Sequence, residues 1–171
     1  ALNTVSESSP RVGDWICTFT GISFYPLDPR VEDVNIADIA HALAHLCRFG
    51  GHCREFYSVA EHSVRVMDVA TALVRERGDA DMPGVTLAAL FHDASEVYLV
   101  DVPRPIKRYL TNYMEIEHRV ANVIFDALGV SAVDRADSAI KAADEILLAT
   151  EKRDLMPAQS AKWSELSVPL R

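Results

Sequence analysis

The sequence predicts an all-α fold, a helical bundle with a small β-hairpin near its N-terminus. Apolar residues recur at helical spacing through a core of about residues 36–155, whereas strand-forming residues concentrate at about 15–25. The chain has 171 residues, 49% of them hydrophobic, which is enough for one buried core. We expect residues 1–14 to be a flexible polar lead and 15–171 to form a single domain ending in a short C-terminal tail.

The hairpin is predicted from residue type. Between Trp15 and Tyr25 the chain is rich in Trp, Ile, Thr and Phe, and Gly21 interrupts this run. Pro26 and Pro29 follow and end any strand. A short antiparallel pair is therefore expected before the helical region begins.

Two helices are predicted next. A stripe of apolar residues from Ile36 to Cys47 predicts the first, which we expect to end at Gly50-Gly51. Ser58 with Glu61 forms a capping box that opens the second helix, and Gly78 ends it.

The middle of the chain predicts a third helix and a rigid connector. Pro83 suits the first turn of this helix, and the apolar sequence that follows is typical of a buried central helix ending at His92-Asp93. The segment from Asp101 to Pro105 holds two prolines, which we expect to exclude regular structure.

Two further helices are predicted in the C-terminal part. Asn112 with Glu115 can cap a helix that reaches Gly129, and the last long helix is expected from Asp134 to Arg153. Helices therefore account for the whole predicted core.

Charge and cysteine content exclude several classes of protein. The formal net charge of −8 and the absence of a basic block disfavour binding to a nucleic-acid polymer. The cysteines, Cys17, Cys47 and Cys53, form no Cys-x-x-Cys pair, which argues against a disulfide framework and a thiolate zinc site. This cysteine usage makes a reducing, cytoplasmic setting the expectation, and the polar start and short apolar runs predict a soluble protein.

Polar side chains fall on apolar faces of three predicted helices. His62 lies on the buried stripe of its helix, and His92-Asp93 ends the most apolar helix. Asp144 faces inward on the last helix, where an unpaired carboxylate is costly to desolvate. Such residues can converge on one divalent cation, and their nitrogen and oxygen donors suit manganese, cobalt, iron, nickel or zinc better than calcium, with magnesium as a further candidate.

The order of these residues resembles the H…HD…D signature of the HD-domain metal-dependent phosphohydrolases. The run from His92 to Val97, followed by Asp101 and Lys107, is similar to the bacterial 5′-deoxynucleotidase branch and to the small phage HD enzymes that act on deoxynucleotides. The likeness covers about residues 36–153.

This resemblance implies an HD-domain helical bundle with one metal. The implied ligands are His62, His92, Asp93 and Asp144. It further implies that Glu96 orients or deprotonates the attacking water and that Asp101 assists near the leaving oxygen or the sugar. Arg48 resembles a phosphate-binding arginine of that branch, and Lys107 is a second candidate cation for the substrate.

One position departs from the branch that it resembles. The deoxynucleotidases carry Arg-Trp where this chain has Arg48-Phe49. Phe49 offers an aromatic face to a nucleotide but lacks the indole N–H donor, so the base and sugar preference is left open.

The leading hypothesis is hydrolysis of a deoxynucleoside 5′-monophosphate to nucleoside and phosphate. The alternatives are release of triphosphate from a dNTP and, in another class, a catalytically inactive metal-stabilised binding module. Retention of Glu96 and Asp101 argues against the inactive module. Alarmone hydrolases are disfavoured because they resemble HD-x-x-Glu-Asp, whereas Val97 follows Glu96 here. The expected partner is a small-molecule nucleotide, and analogy suggests a homodimer.

Three more histidines lie before this signature. His41 and His45 are one turn apart on a predicted helix, and we expect a polar face near the pocket mouth there rather than a second metal site. His52 follows the glycine pair, and the sequence leaves its approach to a substrate open.

Overall fold

The computed structural model describes residues 9–80, 82–158, 163 and 166–171. The described part is mainly helical with one two-stranded antiparallel sheet, so the predicted all-α fold with a small hairpin is confirmed. Residues 1–8 of the predicted polar lead lie outside the described residues.

The elements follow one another in chain order. The strands are β1 (Ile16–Cys17) and β2 (Ser23–Phe24). The helices are α1 (Ile36–His45), α2 (Val59–Glu76), α3 (Pro83–Leu90), α4 (Glu96–Leu99), α5 (Arg104–Lys107), α6 (Tyr113–Ala127), α7 (Ala132–Arg135) and α8 (Ser138–Leu155). None of the helices formed by the described residues combines the length and the apolar composition of a bilayer span.

The hairpin is fastened to α1 by a buried carboxylate. Asp38 is 1% exposed and accepts hydrogen bonds from the backbone N–H of Thr20, at 2.7 Å, and from its hydroxyl, at 2.8 Å. At the end of β2, the ring of Phe24 stacks on that of Tyr98 in α4, with centroids 3.4 Å apart. The small sheet is thus held against the bundle on two sides.

The hydrophobic core has two connected parts. One joins α2, α3 and α8, where Val66, Val85, Ala143 and Leu147 are buried. The other joins the hairpin to α1, α2, α4 and α6. His62 lies on the buried face of α2, so its imidazole is enclosed by the packed helices.

The first helix is shorter than predicted. It ends at His45, and the backbone then becomes extended, with Cys47 bridging Ser58. The N–H of Arg48 donates to the carbonyl of Tyr57 at 2.9 Å. This pairing competes with helical hydrogen bonds, so the prediction of one helix continuing to Gly50-Gly51 was wrong.

The middle of the chain differs from the prediction in two places. Helix α3 ends at Leu90, so His92 and Asp93 lie in the turn before α4 rather than on the helix. Helix α5 forms although Pro105 lies in it, because proline is tolerated in a first turn, where the backbone N–H has no helical partner.

Helix α6 begins directly after Asn112, as predicted, but without the expected side-chain cap, and the predicted start of the last helix is wrong. Asn112 adopts a left-handed φ of 64° and its side chain makes no cap hydrogen bond. The last helix starts at Ser138, because the side chain of Asp137 accepts from the N–H of Ala139 at 2.8 Å and separates α8 from the short helix α7.

Candidate active site

Four polar side chains from three parts of the chain meet between α2 and α8. His62 comes from α2, His92 and Asp93 from the turn after α3, and Asp144 from α8. The Nε2 of His62 lies 3.6 Å from Asp93 Oδ2 and 3.3 Å from Asp144 Oδ1. The Nε2 of His92 lies 3.1 Å from Asp93 Oδ2. We call these residues the metal-site cluster.

Within this cluster, His62, His92 and Asp93 form a group that could hold a metal ion. One ligand atom from each lies within 4.8 Å of the others. Asp144 approaches the same Nε2 atom of His62 from α8. The structure thus brings together all of the metal ligands that the family resemblance implied.

The orientation of both imidazole rings fits a metal. His62 Nδ1 is 2.6 Å from Glu151 Oε1, and His92 Nδ1 is 2.8 Å from the carbonyl of Ala89. Both partners are acceptors, so each Nδ1 carries the proton and donates it. Both Nε2 atoms are buried and have no hydrogen-bond partner among the described residues. An Nδ1–H held by an acceptor with a free Nε2 is typical of metal-binding histidines.

The charges around the cluster favour a cation. Burial alone would raise the pKa of Asp93, but the neighbouring His92, His62 and Arg48 hold it well below its usual range. Burial opposes a charge on His92, yet Asp93 and Asp144 outweigh it and raise the pKa of this imidazole to about 9. The acidic groups therefore favour positive charge at the centre of the site, supplied by a proton on His92 Nε2 or by a metal ion that would displace this proton.

Arg48 lies beside the cluster and is buried, with 8% of the residue exposed. Its Nε donates to Glu151 Oε2 at 3.2 Å, and its Nη1 lies 3.6 Å from Asp93 Oδ2. The turn Arg48–Gly51 holds it there through backbone with positive φ at three successive residues, starting with Phe49 at 56°. Only glycine adopts this conformation readily, so Phe49 is strained.

Phe49 places an aromatic face next to this arginine. The guanidinium carbon of Arg48 lies 5.3 Å from the centre of the Phe49 ring. On another side, the Trp163 ring lies 6.1 Å away, centroid to centroid. The predicted substrate residues Arg48 and Phe49 are thus adjacent in space as well as in sequence.

Glu96 begins α4 and is 7% exposed, with its Oε2 lacking a hydrogen-bond partner among the described residues. Burial, together with the charges of Asp93 and Asp101, raises the pKa of Glu96 to about 9. A carboxyl group with this pKa is protonated at neutral pH, and a cation bound beside Asp93 would lower the pKa toward ionisation.

The remaining predicted residues lie around Glu96. Asp101 follows α4 and acts electrostatically on both Glu96 and Arg48. Lys107 also acts on Glu96, but its Nζ forms an ion pair with Glu117 Oε1 at 2.5 Å. The structure therefore places Lys107 near the site with its charge already paired.

Glu151 is a site residue that the sequence reasoning missed. It is 4% exposed and contacts both His62 and Arg48. The signal was its spacing: Glu151 lies two helical turns after Asp144, so both carboxylates share one face of α8.

The other histidines are placed elsewhere. The ring of His41 stacks on Phe19 of the hairpin turn, with centroids 3.7 Å apart, and on His45, at 4.2 Å. His52 is exposed after the turn Arg48–Gly51. Their roles stay open.

A buried centre of histidines and acidic residues in a helical bundle, contributed in the order His, His-Asp and Asp along the chain, is typical of the HD class of metal-dependent phosphohydrolases. Residues 39–152 match the family described as 5′-deoxynucleotidase YfbR-like. The chain belongs to this YfbR-like 5′-deoxynucleotidase family. It is therefore an HD-type hydrolase, and family membership supports phosphohydrolase activity on a small-molecule nucleotide.

Individual relatives agree with this assignment. The uncharacterized protein YfdR of Escherichia coli K12 is 38% identical over 152 residues, which cover 89% of this chain and 78% of that protein. A 5′-deoxynucleotidase of Shewanella oneidensis is 40% identical over 72 residues, 39% of this chain and 36% of that enzyme. A conserved hypothetical protein from Pyrococcus furiosus shares the fold, with a TM-score of 0.51 and 24% identity over 67% of this chain and 81% of that one.

Proposed function

We propose that this enzyme hydrolyses a deoxynucleoside 5′-monophosphate to the nucleoside and phosphate. Family membership and relatives named 5′-deoxynucleotidase support this substrate class. The observation that carries the proposal is the paired orientation of His62 and His92, whose free Nε2 atoms face Asp93 beside the buried Arg48. In this arrangement Arg48, a cation that can bind the phosphate, lies directly beside the proposed metal site.

The proposed ligands of one divalent metal are His62, His92, Asp93 and Asp144. Their imidazole and carboxylate donors suit Mn, Co, Fe, Ni or Zn, with Mg as a further candidate. A cation held there supplies a Lewis acid and makes water a stronger acid. A structural metal would not need the buried Glu96 nearby, whose Oε2 has no hydrogen-bond partner in the part of the chain that the structure describes, which favours catalysis over an inactive module.

Glu96 is the proposed proton-transfer residue. Its Oε2 atom is buried without a hydrogen-bond partner among the described residues, and a metal cation bound beside Asp93 would lower the raised pKa of Glu96, so that the carboxylate could take a proton from the water that attacks phosphorus. Asp101 is proposed to act near the leaving oxygen or the sugar, because it follows α4 and interacts with both Glu96 and Arg48. The bond from phosphorus to the ester oxygen breaks, and that oxygen leaves with a proton.

Arg48 and Lys107 are the proposed cations for the substrate. Arg48 lies 3.6 Å from Asp93 and is proposed to bind the phosphate oxygens, while Phe49 lines the nucleoside side. Lys107 is proposed to contribute to substrate binding, but its ion pair with Glu117 must first open. These two cations alone do not decide between one phosphate and three, so the products of the reaction decide between the dNMP and dNTP alternatives.

Product analysis tests the reaction. Purified enzyme is incubated with a panel of dNMPs and dNTPs in the presence of Mn²⁺, Co²⁺ or Mg²⁺, and orthophosphate and tripolyphosphate are quantified separately. We expect orthophosphate from dNMPs with at least one metal. The variant Asp93→Ala is prepared in parallel and reveals any contaminating phosphatase.

The outcomes separate the alternatives. Tripolyphosphate from dNTPs without orthophosphate from dNMPs would replace the proposed reaction with the triphosphohydrolase. A protein that binds the metals but hydrolyses neither class of nucleotide would contradict the nucleotidase proposal.

A further inference from the structure

Glu151 connects two parts of the site that come from different elements. Its Oε1 lies 2.6 Å from His62 Nδ1, and its Oε2 accepts a hydrogen bond from Arg48 Nε at 3.2 Å. All three residues are buried: His62 is 0%, Glu151 4% and Arg48 8% exposed. One carboxylate thus uses each oxygen for a different partner, with little access of water to replace either.

The opposite side of the His62 ring faces other acceptors. Its Nε2 lies 3.3 Å from Asp144 Oδ1 and 3.6 Å from Asp93 Oδ2. A neutral imidazole carries one proton, and carboxylates on either side compete for it. Protonation of Nε2 would satisfy Asp144 and Asp93 but would remove the lone pair that a metal needs.

Glu151 makes the shorter contact with the ring, at 2.6 Å against 3.3 Å for Asp144. A shorter charge-assisted hydrogen bond is the stronger one, so the proton stays on Nδ1. Arg48 keeps Glu151 in place, because its guanidinium is always charged and lies against the same carboxylate.

We propose that Glu151 is a positioning residue that selects the metal-binding tautomer of His62, an inference that rests on the proposed metal-dependent function. Glu151 itself need not touch metal or substrate. It acts through His62 by holding the proton on Nδ1 and leaving Nε2 free toward Asp93 and Asp144. Arg48 supplies the charge that fixes Glu151.

The variant Glu151→Gln separates this role from packing. Glutamine has the same shape but only one acceptor oxygen, and the Arg48 guanidinium can only donate. The amide oxygen therefore faces Arg48, and the amide NH₂ faces His62 Nδ1. His62 can adapt by moving its proton to Nε2, which is the tautomer unable to bind a metal.

Two measurements test the proposal on the full chain. Long-range ¹⁵N–¹H NMR of the metal-free protein, at a pH where the ring is neutral, is expected to show His62 protonated at Nδ1 in the wild type and at Nε2 in Glu151→Gln. Titration with Mn²⁺, followed by the EPR signal of the free ion, is expected to show affinity about 10- to 100-fold weaker in Glu151→Gln.

The matched control is Glu145→Gln, the same change on the same helix. The side chain of Glu145 is 45% exposed, with its carboxylate 3.9 Å from Lys141 Nζ, and we expect wild-type Mn²⁺ affinity. Glu151→Asp keeps the charge and both oxygens, so we expect Nδ1 protonation and tighter Mn²⁺ binding than in Glu151→Gln. It also provides the test if Glu151→Gln fails to fold, since protonation at Nε2 in Glu151→Asp would overturn the proposal.

Failure of this inference is distinct from failure of the proposed function. If the wild type binds Mn²⁺ and hydrolyses dNMPs while Glu151→Gln keeps Nδ1 protonation and affinity within about twofold, only the role of Glu151 is wrong. Equal losses in Glu151→Asp and Glu151→Gln would also overturn it, because packing would then explain both. A wild type that binds no Mn²⁺ would contradict the proposed function, and the NMR measurement would still decide which tautomer Glu151 selects.

Discussion

Glu96 combines burial with an oxygen atom that has no hydrogen-bond partner among the described residues. Such an atom destabilises the folded state, so it indicates that the group has a chemical role. Burial with the charges of Asp93 and Asp101 raises the pKa of Glu96 to about 9. Residues of this kind are typical of proton-transfer sites.

Replacing Glu96 with glutamine is expected to stop proton transfer while leaving the metal site intact. Glu96→Gln should lower kcat for orthophosphate release by about 100- to 10,000-fold, because a general base contributes this much. Mn²⁺ affinity, measured by titration, should stay close to that of the wild type. The exposed Glu115→Gln serves as the control, and a Glu96→Gln enzyme with wild-type kcat would exclude Glu96 as the base.

Phe49 is expected to contribute to substrate binding rather than to the chemical step. Phe49→Ala should raise KM by about 2- to 10-fold with little change in kcat, since an aromatic contact is worth about 0.5–1.5 kcal/mol. The control is Phe56→Ala, because Phe56 is 66% exposed. Steady-state kinetics with a dNMP measure both constants. A fall in kcat at unchanged KM would show instead that Phe49 stabilises the transition state.

At the scale of elements, the start of α8 helps to position the helix that carries Asp144 and Glu151. Asp137 caps this helix and also accepts a hydrogen bond from Arg77, at the end of α2, at 2.9 Å. Helix α2 carries His62, and α8 carries Asp144 and Glu151, so this contact links two of the three parts of the chain that form the metal-site cluster.

Asp137→Asn is expected to reveal the charge in this contact, because asparagine caps a helix as well as aspartate does. The hydrogen bond from Arg77, opposed by partial burial, lowers the pKa of Asp137 below its ordinary value of 3.8. A lowered carboxyl pKa stabilises the fold above that value, and the gain is lost as the pH falls through the folded-state pKa. Wild type should therefore have the higher Tm near neutral pH, and the difference should vanish in acid.

Asp137→Ala provides the comparison for this pH profile. It removes the cap as well as the charge and should cost about 1 kcal/mol more than Asp137→Asn. Thermal unfolding followed by circular dichroism measures both variants. A Tm difference between wild type and Asp137→Asn that grows toward acid pH would contradict the assigned charge interaction.

At the scale of the whole molecule, a metal would join elements that are distant in the chain. His62, His92-Asp93 and Asp144 come from three separate parts of the bundle, and their side chains meet between packed helices. A cation that binds only the folded arrangement shifts the folding equilibrium toward it.

Mn²⁺ is therefore expected to stabilise the protein against heat. At about 100 times Kd the gain is about 2.7 kcal/mol, which corresponds to a rise in Tm of about 5–10 °C for a chain of this length. Differential scanning fluorimetry with Mn²⁺ and then excess EDTA measures the gain and its reversal. In His92→Ala the rise in Tm with Mn²⁺ should be lost. A full rise in that variant would show that the metal binds at another site.

Much of the architecture and the candidate ligands could be predicted from the sequence. Helical periodicity, the Ser58 cap and polar residues on apolar faces are local signals, because a helix repeats its face along the chain. They predicted the all-α fold with its hairpin, and His62 and Asp144 as inward-facing residues. The single-domain boundaries, the cytoplasmic setting and the homodimer stay predictions.

Only the tertiary structure decided contacts between residues far apart in sequence. The end of α1 depends on the pairing of Cys47 with Ser58, and the ion pair of Lys107 with Glu117 joins two elements. Glu151 has no local signature beyond its spacing from Asp144, since its role depends on Arg48 and His62 approaching it from other elements. The periodicity of a sequence predicts which side of a helix is buried. Which residues of other elements pack against that side is decided only by the tertiary structure.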